Sequence, residues 1–158
     1  MSRTWTREEF EISDDAGRLD VGAVHAFLTR SYWARGIDLE RVRRSIAGSL
    51  CFGLFHGERQ VGFARVVSDR ATFAWLGDVY VLEPYRGRGL GRWLVEVVTG
   101  HPELVGLRRW QLVTQDAHAL YRPFGFGALA SPEMHMERHR APDPGSPARA
   151  SGGPDAHV

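Results

Sequence analysis

Residues 78–91 run Asp78-Val79-Tyr80-Val81-Leu82-Glu83-Pro84-Tyr85-Arg86-Gly87-Arg88-Gly89-Leu90-Gly91. They join an apolar strand, a turn of glycine and arginine, and the opening of a helix. No other stretch limits the fold as much. Gly87, Gly89 and Gly91 let the backbone approach a ligand closely and adopt conformations that a Cβ hinders. The first N–H groups of a helix have no partner within it, and the helix dipole makes that end electropositive, so it suits phosphate. Arg86, Arg88 and Arg92 add guanidinium groups that grip phosphate oxygens in pairs. Beyond the turn, Leu90, Trp93, Leu94, Val97 and Val98 fall on one helical face. The segment predicts a strand, an anion cradle and an amphipathic helix packed on a sheet. Two common nucleotide motifs are excluded: the chain has no lysine for a Walker loop, and its glycines alternate rather than follow Gly-x-Gly-x-x-Gly.

The strand entering the cradle, 73–82, is apolar on both faces. Simple alternation puts Phe73, Trp75, Val79 and Val81 on one face and Ala74, Leu76, Tyr80 and Leu82 on the other. Such a strand is covered on both sides. Asp78 lies within it, and a buried carboxylate is costly unless it is paired, hydrogen-bonded or neutral. Three readings of Asp78 stay open: a general base, an anchor for a cationic substrate, or a structural carboxylate satisfied by backbone or by Arg65.

The other elements follow without internal repeat. Residues 10–13 make a first strand. Asp20 caps a helix with Val21, Val24, Leu28 and Tyr32 along one side, broken at Gly36. Asp38 caps a second, with Leu39, Val42 and Ile46 as its apolar stripe, and Arg41, Arg43 and Arg44 read as a solvated face. Strands 50–55 and 60–67 form a hairpin across His56-Gly57-Glu58-Arg59. After the cradle helix come a strand over 109–114, a short helix holding Tyr121, and a last strand near 134–138. From Ala141 the chain is rich in Pro, Gly, Ser and Ala with no apolar periodicity. The expected organisation is one domain over 1–140 and a disordered tail over 141–158.

Arg86, Gly89 and Gly91 fill a pattern that resembles the acyl-CoA signature of the GNAT acetyltransferases, Gln/Arg-x-x-Gly-x-Gly/Ala. The stretch Ala117-His118-Ala119-Leu120-Tyr121-Arg122-Pro123-Phe124-Gly125-Phe126 resembles the same family's ending, Ala-x-x-Leu-Tyr-x-x-x-Gly-Phe. The resemblance implies an α/β (α+β) fold, a mixed and largely antiparallel sheet flanked by helices on both faces. In that fold the strand before the cradle and the next strand splay apart, commonly at a bulge. It further implies acetyl-CoA as cosubstrate, no metal, and direct transfer of acetyl to a primary amine in a ternary complex. The acceptor is a small molecule or a peptide amine. On this implication the backbone of Val79, Tyr80 and Val81 binds the thioester arm. Arg86, Gly87, Arg88, Gly89, Leu90, Gly91 and Arg92 hold the pyrophosphate, and Tyr121 protonates the departing thiolate. The family often has Asn seven residues before that tyrosine; Thr114 stands there, and its hydroxyl can also bond a pantetheine amide. Tyr32 and Trp33 fall where the family borders its acceptor pocket, as an aromatic wall suited to an apolar or aromatic amine. His118 is a second acid–base candidate. A non-catalytic acyl-CoA-binding or regulatory module is the alternative.

A net charge of +1 gives no case for nucleic acid or a membrane surface as partner. No apolar run approaches the ~20 residues that cross a bilayer, and the first ten residues lack a signal core. Cys51 is the only cysteine and lies in an apolar run, so it reads as a small core residue. His135 and His139 have no carboxylate or thiol cluster around them, which argues against a metal site. The expectation is a cytoplasmic enzyme, with a homodimer left open.

Overall fold

The alternation of apolar residues along the chain is satisfied by a sheet with a helical layer on each face. The computed structural model describes residues 1–140 and 157–158, so the tail expected to be disordered lies outside it except for its last two residues. Among the described residues the sheet has six strands in sequence order: β1 (Thr4–Arg7), β2 (Phe10–Ser13), β3 (Leu50–His56), β4 (Arg59–Ser68), β5 (Phe73–Val81) and β6 (Arg109–Gln111). All neighbours are antiparallel except β5 and β6, which are parallel. Helices α1 (Val21–Leu28) and α2 (Leu39–Ala47) cover one face, and α3 (Leu90–Thr99) and the short α4 (His118–Tyr121) cover the other. The architecture is the mixed, largely antiparallel one expected. No helix among the described residues is long and apolar enough to cross a membrane.

Each helix starts where its side chains can satisfy the first N–H groups. Asp20 accepts from Ala23 N–H and Asp38 from Arg41 N–H, as their positions predicted. α3 instead starts on Gly89 in the left-handed conformation (φ 76°), with no side-chain cap. Its buried face, including Leu90, Trp93, Leu94, Val97 and Val98, packs on Leu76, Val79 and Val81 of β5 and on β3 and β4. The opposite layer is smaller: Val24, Leu28 and Val42 close over Cys51, Phe63 and Tyr80, with the Phe27 ring stacked 3.8 Å from that of Tyr80.

Four expectations are corrected. The first strand is β1, a short edge strand largely exposed and therefore without an apolar pattern to reveal it. α1 ends at Leu28, and Tyr32 lies in the following run of turns rather than on the helix. β6 is three residues long, ending at Gln111 rather than 114. Residues 134–138 form no strand. Pro132 opens a single 3-10 turn that ends at Met134, and both Met134 and Met136 are exposed, so no apolar face is there for an alternating segment to bury.

One buried pair ties the N-terminal hairpin to the end of α3. The His101 ring is fully buried, and its Nε2 lies 2.9 Å from Asp14 Oδ2. Its Nδ1 accepts from Glu103 N–H, which leaves Nε2 as the protonated nitrogen that donates to Asp14. Replacing His101 with Leu leaves the buried Asp14 carboxylate without this partner, and should cost about 3 kcal/mol. Urea denaturation should show the transition midpoint falling with an unchanged slope.

Candidate active site

β4 and β5 fall out of step at one point, and the site follows from it. Phe63 pairs with Tyr80 and Arg65 with Gly77, so Ala64 alone opposes both Asp78 and Val79. β5 therefore carries one extra residue. Asp78 takes it up with φ 54°, a left-handed conformation uncommon outside glycine but tolerated by aspartate. The bulge also shifts the phase of the strand. Val79 and Val81 share the α3-side core with Ala74 and Leu76, whereas Tyr80 faces α1. The two faces drawn from uninterrupted alternation thus exchange partners at Asp78.

Asp78 is fully engaged. Its Oδ2 accepts from Arg65 Nε at 2.7 Å and its Oδ1 from Trp33 Nε1 at 3.0 Å. Arg65 reaches on to Ser49 Oγ at 3.2 Å. The bond from Arg65 is the pairing that the structural reading of Asp78 named. Trp33 is thereby fixed to the bulge, while Tyr32 turns the other way and its Oη accepts from Gln115 N–H at 3.0 Å.

Three residues ahead of the bulge, β5 and β6 part. Their pairing stops at Trp75 and Gln111, and among the described residues the outer edge of β5 from Leu76 onward has no strand beside it. Val81 N–H, on that edge, donates to the carbonyl of His157 at 2.9 Å. Val158 continues from there to Gly91, where an added Cβ would stand 3.1 Å from the Val158 Cβ. The edge thus accepts an extended chain that runs from the strand to the N-terminus of α3.

The cradle at that end is open. An added Cβ at Gly87 or Gly89 would meet no atom within 4 Å, although both residues have positive φ. The first hydrogen bond of α3 is from Trp93 N–H to Gly89 C=O, which leaves the N–H groups of Leu90, Gly91 and Arg92 pointing out of the helix end. The arginines are arranged unequally. Arg86 Nε is tied to Val81 C=O at 2.8 Å, Arg88 lies 3.9 Å from Glu9, and Arg92 is exposed.

At the other end Tyr121 is buried behind Ala117 and Phe126. Burial, reinforced by Tyr32 and then by Asp116, pushes its phenol well above the ordinary tyrosine range, so it stays protonated. Thr114 Oγ1 accepts from Ala117 N–H at 3.0 Å and shapes the turn into α4. His118 is exposed, and the Tyr80 side chain is core, so only the Tyr80 backbone is available to a ligand. Cys51 is buried, and desolvation pushes its thiol up to about 12, which suits packing rather than nucleophilic work. Asp116, absent from the sequence reading, is nearly buried beside Tyr121. Its place in a turn leaves no periodic signal, and only its position between Thr114 and Ala117 of the second motif pointed to it. A cavity of about 640 Å³ lies along β6 and residues 124–135 and shares no lining residue with β5 or the cradle.

Residues 9–126 match the family described as Acetyltransferase (GNAT) family. The chain belongs to the GNAT acetyltransferase family. A GNAT-family protein of Xanthomonas campestris pv. campestris is 49% identical and superposes with a TM-score of 0.81, covering 83% of this chain and 93% of that one. A Gibberella zeae protein named as an acetyltransferase is 30% identical over 143 residues, 75% of this chain and 79% of its own length. The fold alone is shared with a Clostridium acetobutylicum protein whose crystal structure was determined with acetyl-CoA, at 12% identity and a TM-score of 0.60, over 88% of this chain and 96% of that one. Family membership makes this GNAT chain an acyltransferase.

Replacing Asp78 with Asn should loosen the bulge. Arg65, itself largely buried, loses its counter-charge, and stability should fall by about 3 kcal/mol. Thermal melting checks this, and near-ultraviolet dichroism should report a freed Trp33.

Proposed function

We propose that this GNAT protein transfers acetyl from acetyl-CoA to a primary amine by direct attack in a ternary complex. The observation that carries the reading is the unpaired edge of β5. It ends at the glycine cradle of α3, and a chain already lies along it by a bond to Val81 N–H.

The residues present suit acetyl-CoA. The α3 N–H groups and Arg92 would hold the pyrophosphate, with Gly87 and Gly89 keeping side chains out of its way. Val81 N–H would bond an amide of the pantetheine arm. Val79 N–H, on the far side of the bulge, would donate to the thioester oxygen and favour the charge that develops there. Acetyl-CoA supplies an acetyl group activated as a thioester. Tyr121 keeps its proton through the working pH range because its hydroxyl is desolvated, and it would give that proton to the departing sulfur. A free thiol and a phenol have ordinary pKa values of about 8.5 and 10. Transfer to a full thiolate runs uphill on these values, so the phenol first steadies the charge developing on sulfur through a hydrogen bond, and its proton follows as the thiolate leaves. Asp78, spent on Arg65 and Trp33, serves by holding the bulge, so proton removal from the amine falls to water or to another carboxylate.

Substituting Phe for Tyr121 tests the chemistry. The ring and its packing remain, the maximal rate of thiol release should fall about 10²-fold, and acetyl-CoA affinity should change little. A Phe variant as fast as the parent would remove Tyr121 from the mechanism. The cradle is tested by Gly91→Glu, since Gly91 has no positive φ and the nearest atoms a Cβ there would meet belong to Val158. Calorimetry should show acetyl-CoA affinity at least tenfold lower, about 1.4 kcal/mol, in a protein that melts as before.

A further inference from the structure

Asp116 Oδ1 is the only side-chain oxygen or nitrogen among the described residues that is fully buried and makes no hydrogen bond. Buried carboxylate oxygens are nearly always paired, because an unpaired one forfeits its hydration for nothing. His157 Nδ1 lies 3.6 Å from it, within ion-pair reach but beyond a hydrogen bond. The His157 ring is 4.7 Å from that of Trp33 and 5.7 Å from that of Tyr32, inclined to both. A flat nitrogen ring enclosed by two aromatic side chains and facing a carboxylate is the arrangement that recognises a heteroaromatic cation.

The enclosure is built independently of its occupant. Trp33 is held by Asp78 at the bulge, and Tyr32 is held by Gln115 N–H at the entry to α4. A site whose walls are already fixed spends little on ordering when a ligand enters. Asp116 and Tyr32 also act on Tyr121, and the His157 carbonyl sits on Val81 N–H. The enclosed ring therefore lies between the proposed proton donor and the proposed donor groove.

We propose that Asp116, Tyr32 and Trp33 form the acceptor subsite, and that it takes amines bearing a nitrogen heteroaromatic ring of imidazole size. His157 stands in for that ring. The inference rests on the acetyl-transfer reading, since only then is this pocket the acceptor's. Asp116 binds the ring nitrogen, the two aromatic side chains bind its faces, and the amine on its short arm is left to reach the β5 edge. Asp78 already bonds Trp33 and Arg65, one through each oxygen, whereas Asp116 Oδ1 makes no hydrogen bond.

Histamine is the probe. Calorimetry is run on the full chain and on His157→Ala, which vacates the ring's place without touching the walls. Histamine should bind His157→Ala at least tenfold more tightly than the parent. Adding Asp116→Asn to that variant should weaken it at least tenfold, and 2-cyclohexylethylamine, which lacks the ring nitrogens, should bind no better than the double variant binds histamine. Should Asp116→Asn fail to fold, Tyr32→Leu in the same background carries the test with the same expected loss. Equal histamine affinity in the parent and His157→Ala, or affinity indifferent to both wall substitutions, would overturn the subsite. Acetyl-CoA binding, and thiol release with simple alkylamines, are followed in the parent protein, whose walls are intact. Their survival beside a missing histamine effect overturns the subsite alone; their absence overturns acetyl transfer itself.

Discussion

A single inserted residue in β5 determines how the rest of the site is arranged. Asp78 in a left-handed conformation costs about 1–2 kcal/mol relative to an extended residue. The charge-assisted bond from Arg65 returns about 1.5–3 kcal/mol, and Trp33 Nε1 adds a second bond to the same carboxylate. Without that clamp the strand would relax to regular alternation, and Val79 and Val81 would exchange faces with Tyr80. With it, Val79 and Val81 pack under α3 while the strand bends out of register. By then β5 has already left β6, after three paired residues ahead of the bulge. The same carboxylate fixes Trp33, so the proposed donor groove and acceptor wall share one support.

Charge is distributed along that edge to match what must lie on it. The α3 end offers N–H groups and arginine without an acidic cap. The other end keeps Tyr121 neutral through burial, near a carboxylate that cannot approach water freely. On the proposed reading, a polyanion is drawn to one end and a proton held at the other. The order of these two sites along β5 and α3 follows from chain direction alone, because α3 begins where β5 leaves the sheet.

Much of this was legible in the chain. The cradle, the buried face of α3, the caps at Asp20 and Asp38, and the hairpin between β3 and β4 all rest on local signals, and each local signal agreed with the tertiary structure. What escaped notice depended on long-range contacts. The bulge is invisible to alternation because an inserted residue reverses the phase without changing composition. Tyr32 continued a helical spacing that its own backbone abandons, since Leu28 is the last residue α1 can bury. Thr114 carried a family role by position, and its hydroxyl oxygen also accepts from Ala117 N–H in the turn into α4. Asp116 and His157 lie in segments without periodicity, and only the folded chain, 41 residues apart in sequence, brings them to 3.6 Å.

The central claim is that the open edge of β5 receives acetyl-CoA. Amide hydrogen exchange resolved by residue, with and without acetyl-CoA, tests it directly. The account requires new protection at Val79 and at Leu90 to Arg92, and retained or deeper protection at Val81 as one carbonyl partner replaces another. Protection confined to the cavity along β6, with Val79 and the start of α3 unchanged, would contradict it.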